Sequence, residues 1–420
     1  MGVMRRQLVN LICIVLLMAG CNKSKDLAVP SAGPNSLLNQ AYPLPDASKH
    51  LIDGVYSVNS GNELFGDQVV IKFARKNMTV MCSDGHYCVI TLGQLDSVIM
   101  LQGYWRYCYN DNTGLVSAYI ARDKGGRDIM KGTPNPQTII IQGGYGSKGN
   151  ELDKSFQFSF QRPISSAVLN KHFSILAHRS GGRTSDHLPV SENSIAMINF
   201  TEGLGSTGIE VDVQLTKDGI PVLYHDADLN IRLTQKGPIS GPIKDFTYIQ
   251  LYYLVRLIHG ERIPTLREAL LFTVDSTLLT DVYLDMKEKV PTMSAVIPIQ
   301  KEMLQRAKDK GRELNIYIGI PSQDGMDDFM NQPGYTDIPS LCELTTDDVV
   351  KLNSRVWAPR WTQGTQDALV AQIHSQGRLA WTWTLDDVRW IQEFINNGQF
   401  DGILTNYPFI VGYYHYMREN

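Results

Sequence analysis

Four short stretches of this 420-residue chain end in side chains that can move protons or hold a cation: Ile175-Leu-Ala-His-Arg179, Ile209-Glu-Val-Asp212, Tyr224-His-Asp226 and Val282-Tyr-Leu-Asp-Met286. His178 and His225 carry the ring whose ordinary pKa lies near neutrality, so one can take a proton and the other give one. Glu210 and Asp212 are two residues apart, and on a strand that spacing sends both to one face. Asp285 and Lys287 repeat the spacing and add a third carboxylate and an ammonium. Oxygen donors suit Ca²⁺ or Mg²⁺ better than zinc. A cation held by carboxylates neutralises the charge of a phosphodiester, and two histidines serve the attacking and leaving oxygens. Arg179 and Lys287 are then the phosphate-binding cations. Taken singly, His178 at a strand end reads as a core histidine bonded to backbone; the company of His225, Glu210 and Asp212 makes it a catalytic candidate. His50, His86, His172, His259, His374 and His415 read as surface or helix residues without carboxylate company, and His187 is grouped with them.

Such residues must be delivered by a scaffold. An apolar run that stops in ionisable groups reads as a buried strand whose C-terminal end opens on a site. From about 166 onward short apolar strands alternate with amphipathic helices. Further strands are expected at Ile316–Ile320, Val356–Arg360, Leu379–Trp383 and Gly402–Thr405. Helices are expected at Asn193–Glu202, Leu266–Val274, Ser294–Lys310, Thr365–Ser375 and Asp386–Asn396. That alternation over roughly 250 residues predicts an α/β fold, a TIM (β/α)₈ barrel spanning 166–415. A doubly wound sheet is the alternative, but no glycine-rich nucleotide turn follows the first strand. Residues 51–163 have a different texture, with β runs at 68–73, 87–91, 97–101, 115–120, 138–141 and 156–160 separated by Gly, Asn and Asp. They predict an all-β antiparallel sandwich or small barrel.

The ends and the composition set the compartment. Arg5-Arg6 precedes an apolar segment too short to span a bilayer, closed by Leu17-Met-Ala-Gly-Cys21. This resembles a bacterial lipobox, so residues 1–20 are expected to be a lipoprotein signal peptide and Cys21 the lipidated mature terminus. Residues 21–50, rich in Lys, Ser, Pro and Asn, read as a tether. The expected location is extracytoplasmic, held to a bacterial membrane by the lipid. A formal charge of −4 and 43% hydrophobic residues exclude a nucleic-acid partner. In an oxidising compartment Cys82 and Cys88, bracketing the Asp84-Gly85 turn, could meet across a hairpin or remain buried thiols; a zinc site through His86 has no second ligand pair.

The order of these motifs resembles the glycerophosphodiester phosphodiesterases. His178-Arg179-Ser180 is similar to the family's His-Arg-Gly, and Glu192-Asn193 matches its Glu-Asn. Glu210-Val-Asp-Val-Gln-Leu-Thr-Lys-Asp-Gly219, His225-Asp226, Ile263-Pro-Thr-Leu266, Trp383-Thr-Leu-Asp386 and Asp401-Gly-Ile-Leu-Thr-Asn-Tyr-Pro408 follow in order. The resemblance implies a TIM barrel with metal ligands Glu210, Asp212 and Asp285 and catalytic histidines His178 and His225, their acid and base roles open. It implies release of glycerol 3-phosphate and an alcohol from a small diester. Glu192 supports a catalytic group or caps the helix it opens; Trp383 lines the glycerol pocket or packs in the core. The chain departs from the family at Ser180 in place of Gly, at Ser191 in place of Pro, at Asp285 where many members carry Glu, and in a longer segment, Gly181 to Val190. Two alternatives keep the barrel: a phospholipase-type or wall-polymer phosphodiesterase, marked by an apolar lip near Leu251-Tyr-Tyr-Leu-Val255, and a non-catalytic ligand-binding lipoprotein.

Overall fold

The computed structural model describes residues 29–31, 33, 36–133, 135–146, 151–287 and 292–419, so the leader and Cys21 lie outside the described residues. Eight strands, β1 (Gly54–Ser60), β2 (Gln68–Ala74), β3 (Asn77–Met81), β4 (His86–Leu95), β5 (Val98–Tyr107), β6 (Thr113–Ile120), β7 (Ile140–Tyr145) and β8 (Lys154–Arg162), run antiparallel in sequence order. β1 pairs with both β2 and β8, which closes a barrel and not a sandwich. Register shifts within β1 and β8 mark bulges, the devices that bend a sheet enough to close it. The interior is filled by Phe65, Phe156, Phe158, Ile71, Val80 and their neighbours, leaving essentially no room for a water molecule. Cys82 and Cys88 are separate buried thiols in this core. Cys88 faces Val80, while the backbone of Cys82 bonds to His86, so the sulfurs are not directly opposed. The chain joins the barrel earlier than composition suggested: Ser36 donates to Gln102 at 2.5 Å, and Tyr42 bridges to Gln94.

The second barrel is built from β9 (Ser174–Ala177), β10 (Gly208–Leu215), β11 (Pro221–Leu223), β12 (Asp228–Leu229), β13 (Gly241–Pro242), β14 (Asp281–Met286), β15 (Asn315–Ile320), β16 (Ser340–Cys342), β17 (Val356–Trp357), β18 (Leu379–Thr382) and β19 (Gly402–Thr405). Eight of these strands, β9, β10 and β14 to β19, are parallel, and β9 pairs with both β19 and β10, so the sheet closes. Helices at Ile195–Thr201, Leu266–Ser276, Met293–Asp309, Asp367–Ser375 and Val388–Asn396 match the expected amphipathic segments to within two residues at each end. Those at Gln323–Met330 and Thr346–Leu352 had too few residues for a clear period.

Two strand expectations change. Tyr224–Asp226 is not a barrel strand: Pro221–Leu223 folds back antiparallel on β10, Val213 facing Leu223. The five residues between them include Asp218-Gly219, with Gly219 at φ 75°, and so short a link permits a hairpin but not a parallel crossover. The missing parallel strand is β16, whose three residues are too few for a periodic signal.

The barrels share an apolar seam. Val55, Val70, Met81, Tyr87 and Val89 of the first belong to one buried cluster with Leu204, Phe409 and Tyr413 of the second. The helix Pro408–Tyr416 is buried almost all round between them, with Tyr87 stacked on Phe409 at 4.1 Å.

Candidate active site

Parallel register brings the acids together. β10 lies beside β14 with Asp212 opposite Asp285 and Glu210 opposite Tyr283. Glu210, Asp212 and Asp285 each offer an oxygen, all within 4.8 Å of one another. Glu210 and Asp212 are fully buried, and Glu210 Oε1 receives no hydrogen bond among the described residues. A buried carboxylate oxygen without a partner is costly; a divalent cation supplies one, so the three oxygens suit a hard cation. Burial, and next Asp212 and Asp285, push Glu210 well above the usual carboxylate range. Burial also raises Asp285. Burial works the same way on Asp212, but Lys287, His225 and His178 together outweigh it and the carboxyl ends lower than usual. The Lys287 ammonium is 2.8 Å from Asp212 and also pairs with Asp285. Lys287 therefore sits inside the acid cluster, at the edge of the cavity.

The histidines are held from opposite sides. His178 directly follows β9; its Nδ1 is 2.9 Å from Asn406 Oδ1, and its Nε2 is 3.8 Å from Glu210. Asn406 donates its amide N–H to Asp386 at 2.6 Å, which turns its oxygen toward the ring. His178 Nδ1 is thereby the donor and Nε2 carries the lone pair. Burial is the main reason its pKa falls to about 4. His225 follows the β11 hairpin strand, with Nδ1 2.7 Å from Asp226. Arg232 and Asn230 in turn hold Asp226, at 2.5 and 2.6 Å. Arg179 Nη2 donates to His225 Nε2 at 2.8 Å, and its Nη1 donates to Glu192 at 2.9 Å.

Glu192 does not cap the following helix, whose N-cap is Ser194. It accepts from Arg179 and from both the backbone and hydroxyl of Thr184, so it holds Arg179 in place. Asn193 donates to Asp212 at 2.5 Å and accepts from the Asp212 backbone at 3.1 Å. Arg179, Ser180 and Asn193 all have left-handed φ (52°, 71° and 56°). Such backbone is strained for non-glycine residues and clusters at functional sites.

A cavity of about 410 Å³ opens over these groups, lined by His178, Arg179, His225, Lys287, Arg360 and Trp383 among others. The Trp383 indole donates to Ala358 O, and the Arg360 guanidinium lies 4.6 Å over its ring. Glu343, just beyond β16, lies outside the family motifs, yet it lines the cavity and bonds to the Tyr283 hydroxyl. Burial lifts it to about 7. Its only sequence signal is another apolar run, Ser340-Leu-Cys, that stops in an acid. Asn406 and Asp386 lay inside quoted motifs without an assigned role.

Among the remaining histidines the expectation of no carboxylate company fails at five and holds at His415. His172 pairs with Asp281, His374 with Asp401, His50 with Asp53, His86 with Asp84 and His187 with Asp111. None of these pairs lines the cavity.

The fold and these groups define a TIM-barrel hydrolase with a carboxylate cluster suited to a cation and two oriented histidines. The sequence profile of the glycerophosphoryl diester phosphodiesterase family matches residues 178–409, and the chain belongs to that family and its enzyme class. A glycerophosphodiester phosphodiesterase of Caldanaerobacter subterraneus subsp. tengcongensis is 28% identical over 245 residues, covering 56% of this chain and 94% of that protein. The glycerophosphodiester phosphodiesterase 1 of Rattus norvegicus is 33% identical over 30% of this chain, which spans only 37% of that relative. A solved glycerophosphodiester phosphodiesterase from Parabacteroides distasonis aligns at 24% identity and a TM-score of 0.44, covering 57% of this chain and 94% of that one.

Proposed function

We propose that the protein hydrolyses glycerophosphodiesters to glycerol 3-phosphate and an alcohol, assisted by Ca²⁺ or Mg²⁺ held by Glu210, Asp212 and Asp285. The observation that carries this reading is the convergence of that acid cluster with His178 and His225 on one cavity. When bound, the cation would neutralise non-bridging charge on the phosphodiester. His178 is the base: its ring is neutral, with Nε2 free to take the proton of the attacking oxygen. His225 is the acid: Arg179 must turn from its Nε2 to the phosphate, after which Nε2 carries the proton delivered to the leaving oxygen as its P–O bond breaks, with Asp226 holding Nδ1. Arg179, already spanning Glu192 and His225, and Lys287 bind the phosphate, and Trp383 walls the glycerol side. The attacking oxygen is water or the glycerol hydroxyl next to the phosphate, in which case water then opens a cyclic phosphate. Lipidation at Cys21 anchors the enzyme to a bacterial membrane outside the cytoplasm, in the periplasm or at the cell surface.

A lipid substrate is the second reading, favoured by one observation. Leu251 and Val255 are core, as expected of a helix interior, but Ile249, Tyr253 and Leu254 on the same helix are exposed, and Ile231 is 81% exposed. This apolar edge lies on the segment that follows His225.

The test uses protein without residues 1–21. Glycerol 3-phosphate release from glycerophosphocholine and glycerophosphoethanolamine is followed with Ca²⁺, with Mg²⁺ and with chelator, beside His178→Ala and Glu210→Ala. Metal-dependent release lost in both variants is the expected result. No release with either metal refutes the small-diester reading, and hydrolysis of vesicle lipid alone selects the second.

A further inference from the structure

The family match begins at residue 178, so the first barrel lies outside it. Its β5–β6 hairpin nevertheless reaches the mouth of the second barrel. Arg106, near the end of β5, is only 2% exposed. Its two terminal nitrogens donate to the backbone carbonyls of Asp186 and His187, at 3.2 and 3.1 Å. At the hairpin tip Asp111 lies 2.7 Å from His187 Nδ1. Tyr109 donates to the backbone carbonyl of Asp386 at 3.3 Å and sets its ring edge-on to Tyr407 at 5.3 Å.

The contacts at Asp186 and Asp386 connect to a catalytic histidine through a few hydrogen bonds and adjacent backbone. On one side Asp186 holds Arg183, Thr184 holds Glu192, Glu192 holds Arg179, and Arg179 touches His225. On the other, the Asp386 carboxylate holds Asn406, which orients His178. Simple docking does not require this arrangement. The apolar seam around Tyr87, Met81 and Phe409 already joins the barrels. A buried cation is costly and often replaceable by an apolar side chain without loss of stability. The Arg106 Nε is buried without a partner among the described residues, so that cost is only partly met. What the guanidinium does hold is the backbone of the segment that carries Thr184.

Building on the proposed hydrolysis, we propose that Arg106, Tyr109 and Asp111 are positioning residues. The first barrel is a working part of the active site: its β5–β6 hairpin clamps the loop Gly181–Val190 and the Asp386 turn, and so fixes Arg179 and both histidines.

The test has two arms. Hydrogen exchange by mass spectrometry on peptides covering 179–193 compares wild type with Arg106→Met, which keeps side-chain volume and removes the fork. In parallel, kcat, KM and the pH–rate profile are measured on the diester that wild type cleaves best. The expected result is exchange about tenfold faster in the loop, kcat down about ten- to a hundredfold, KM within about twofold, and a displaced limb of the pH profile. Unchanged loop exchange or unchanged kcat in folded Arg106→Met overturns the proposal. Should that variant not fold, the exposed double substitution Tyr109→Phe with Asp111→Ala decides by the same two readouts. A wild type inactive on every diester refutes the hydrolysis reading, whereas the exchange arm still decides whether the hairpin clamps the loop.

Discussion

Glu210→Gln separates the stability of the acid cluster from its function, because the two should move in opposite directions. Each carboxylate pair lies within 4.8 Å, where like charges repel by roughly 3.5 kcal/mol at an effective dielectric near 20. Glu210 faces two such neighbours, and the Lys287 ammonium offsets only part of their repulsion. Glutamine keeps the acceptor that takes the Arg179 backbone N–H at 2.7 Å and adds an amide donor beside the remaining acids. With water at the cavity mouth trimming the repulsion, about 1–2 kcal/mol of stabilisation is expected in metal-free protein. For a barrel of this size that raises Tm by roughly 2–8 °C. Metal reverses the order: wild type at a hundred times its Kd gains about 2.7 kcal/mol, and a variant that no longer binds gains none. Thermal melts in chelator and then in millimolar Ca²⁺ or Mg²⁺ measure both effects. A variant that melts below wild type in chelator, or a wild type whose Tm ignores both cations, refutes the reasoning.

The other two predictions concern His178 and the barrel seam. Asn406→Ala leaves His178 Nδ1 without its acceptor and Nε2 without a defined aim; kcat should fall by about 10–100-fold at little cost in Tm, and unchanged kcat would remove Asn406 from the site. His415, stacked on Phe173 at 4.2 Å and facing Arg418, Lys171 and Lys72, has its pKa lowered to about 3, chiefly by burial. The unfolded chain takes that proton first, so stability is whole above about 6.5 and is lost as pH falls toward 3. His415→Phe keeps the stack and should flatten the acid limb of a Tm-against-pH curve; parallel curves would show that another group sets that limb.

How much was legible in the chain depends on how local the cause is. Glu210 and Asp212 share a face because a strand has a period of two, and that needs nothing beyond neighbouring residues. The apolar runs at 175–177, 209–213, 282–286, 316–320 and 402–405 likewise announced buried strands, and their alternation with amphipathic segments announced the barrel. Residue type alone singled out the two histidines and the three carboxylates that the structure brings to one cavity.

Local pattern does not separate a parallel strand from a hairpin arm, so Tyr224–Asp226 reads as a barrel strand end although Asp218-Gly219 marks the turn. It could not detect the three residues of β16, and so Glu343 stayed hidden. The pairs of His172 with Asp281, His374 with Asp401 and His187 with Asp111 were invisible for the same reason, whereas Asp53 and Asp84 lie within three residues of His50 and His86 and were legible. Register and barrel closure decided the rest. Asp285 meets Asp212 because β14 lies in register beside β10, and Asn406 meets His178 because β19 closes on β9. Arg106 meets the Gly181–Val190 loop because two barrels dock along a shared apolar seam. Such contacts join residues far apart in sequence, and their geometry is set by the packing of the whole sheet, so only the tertiary structure places them.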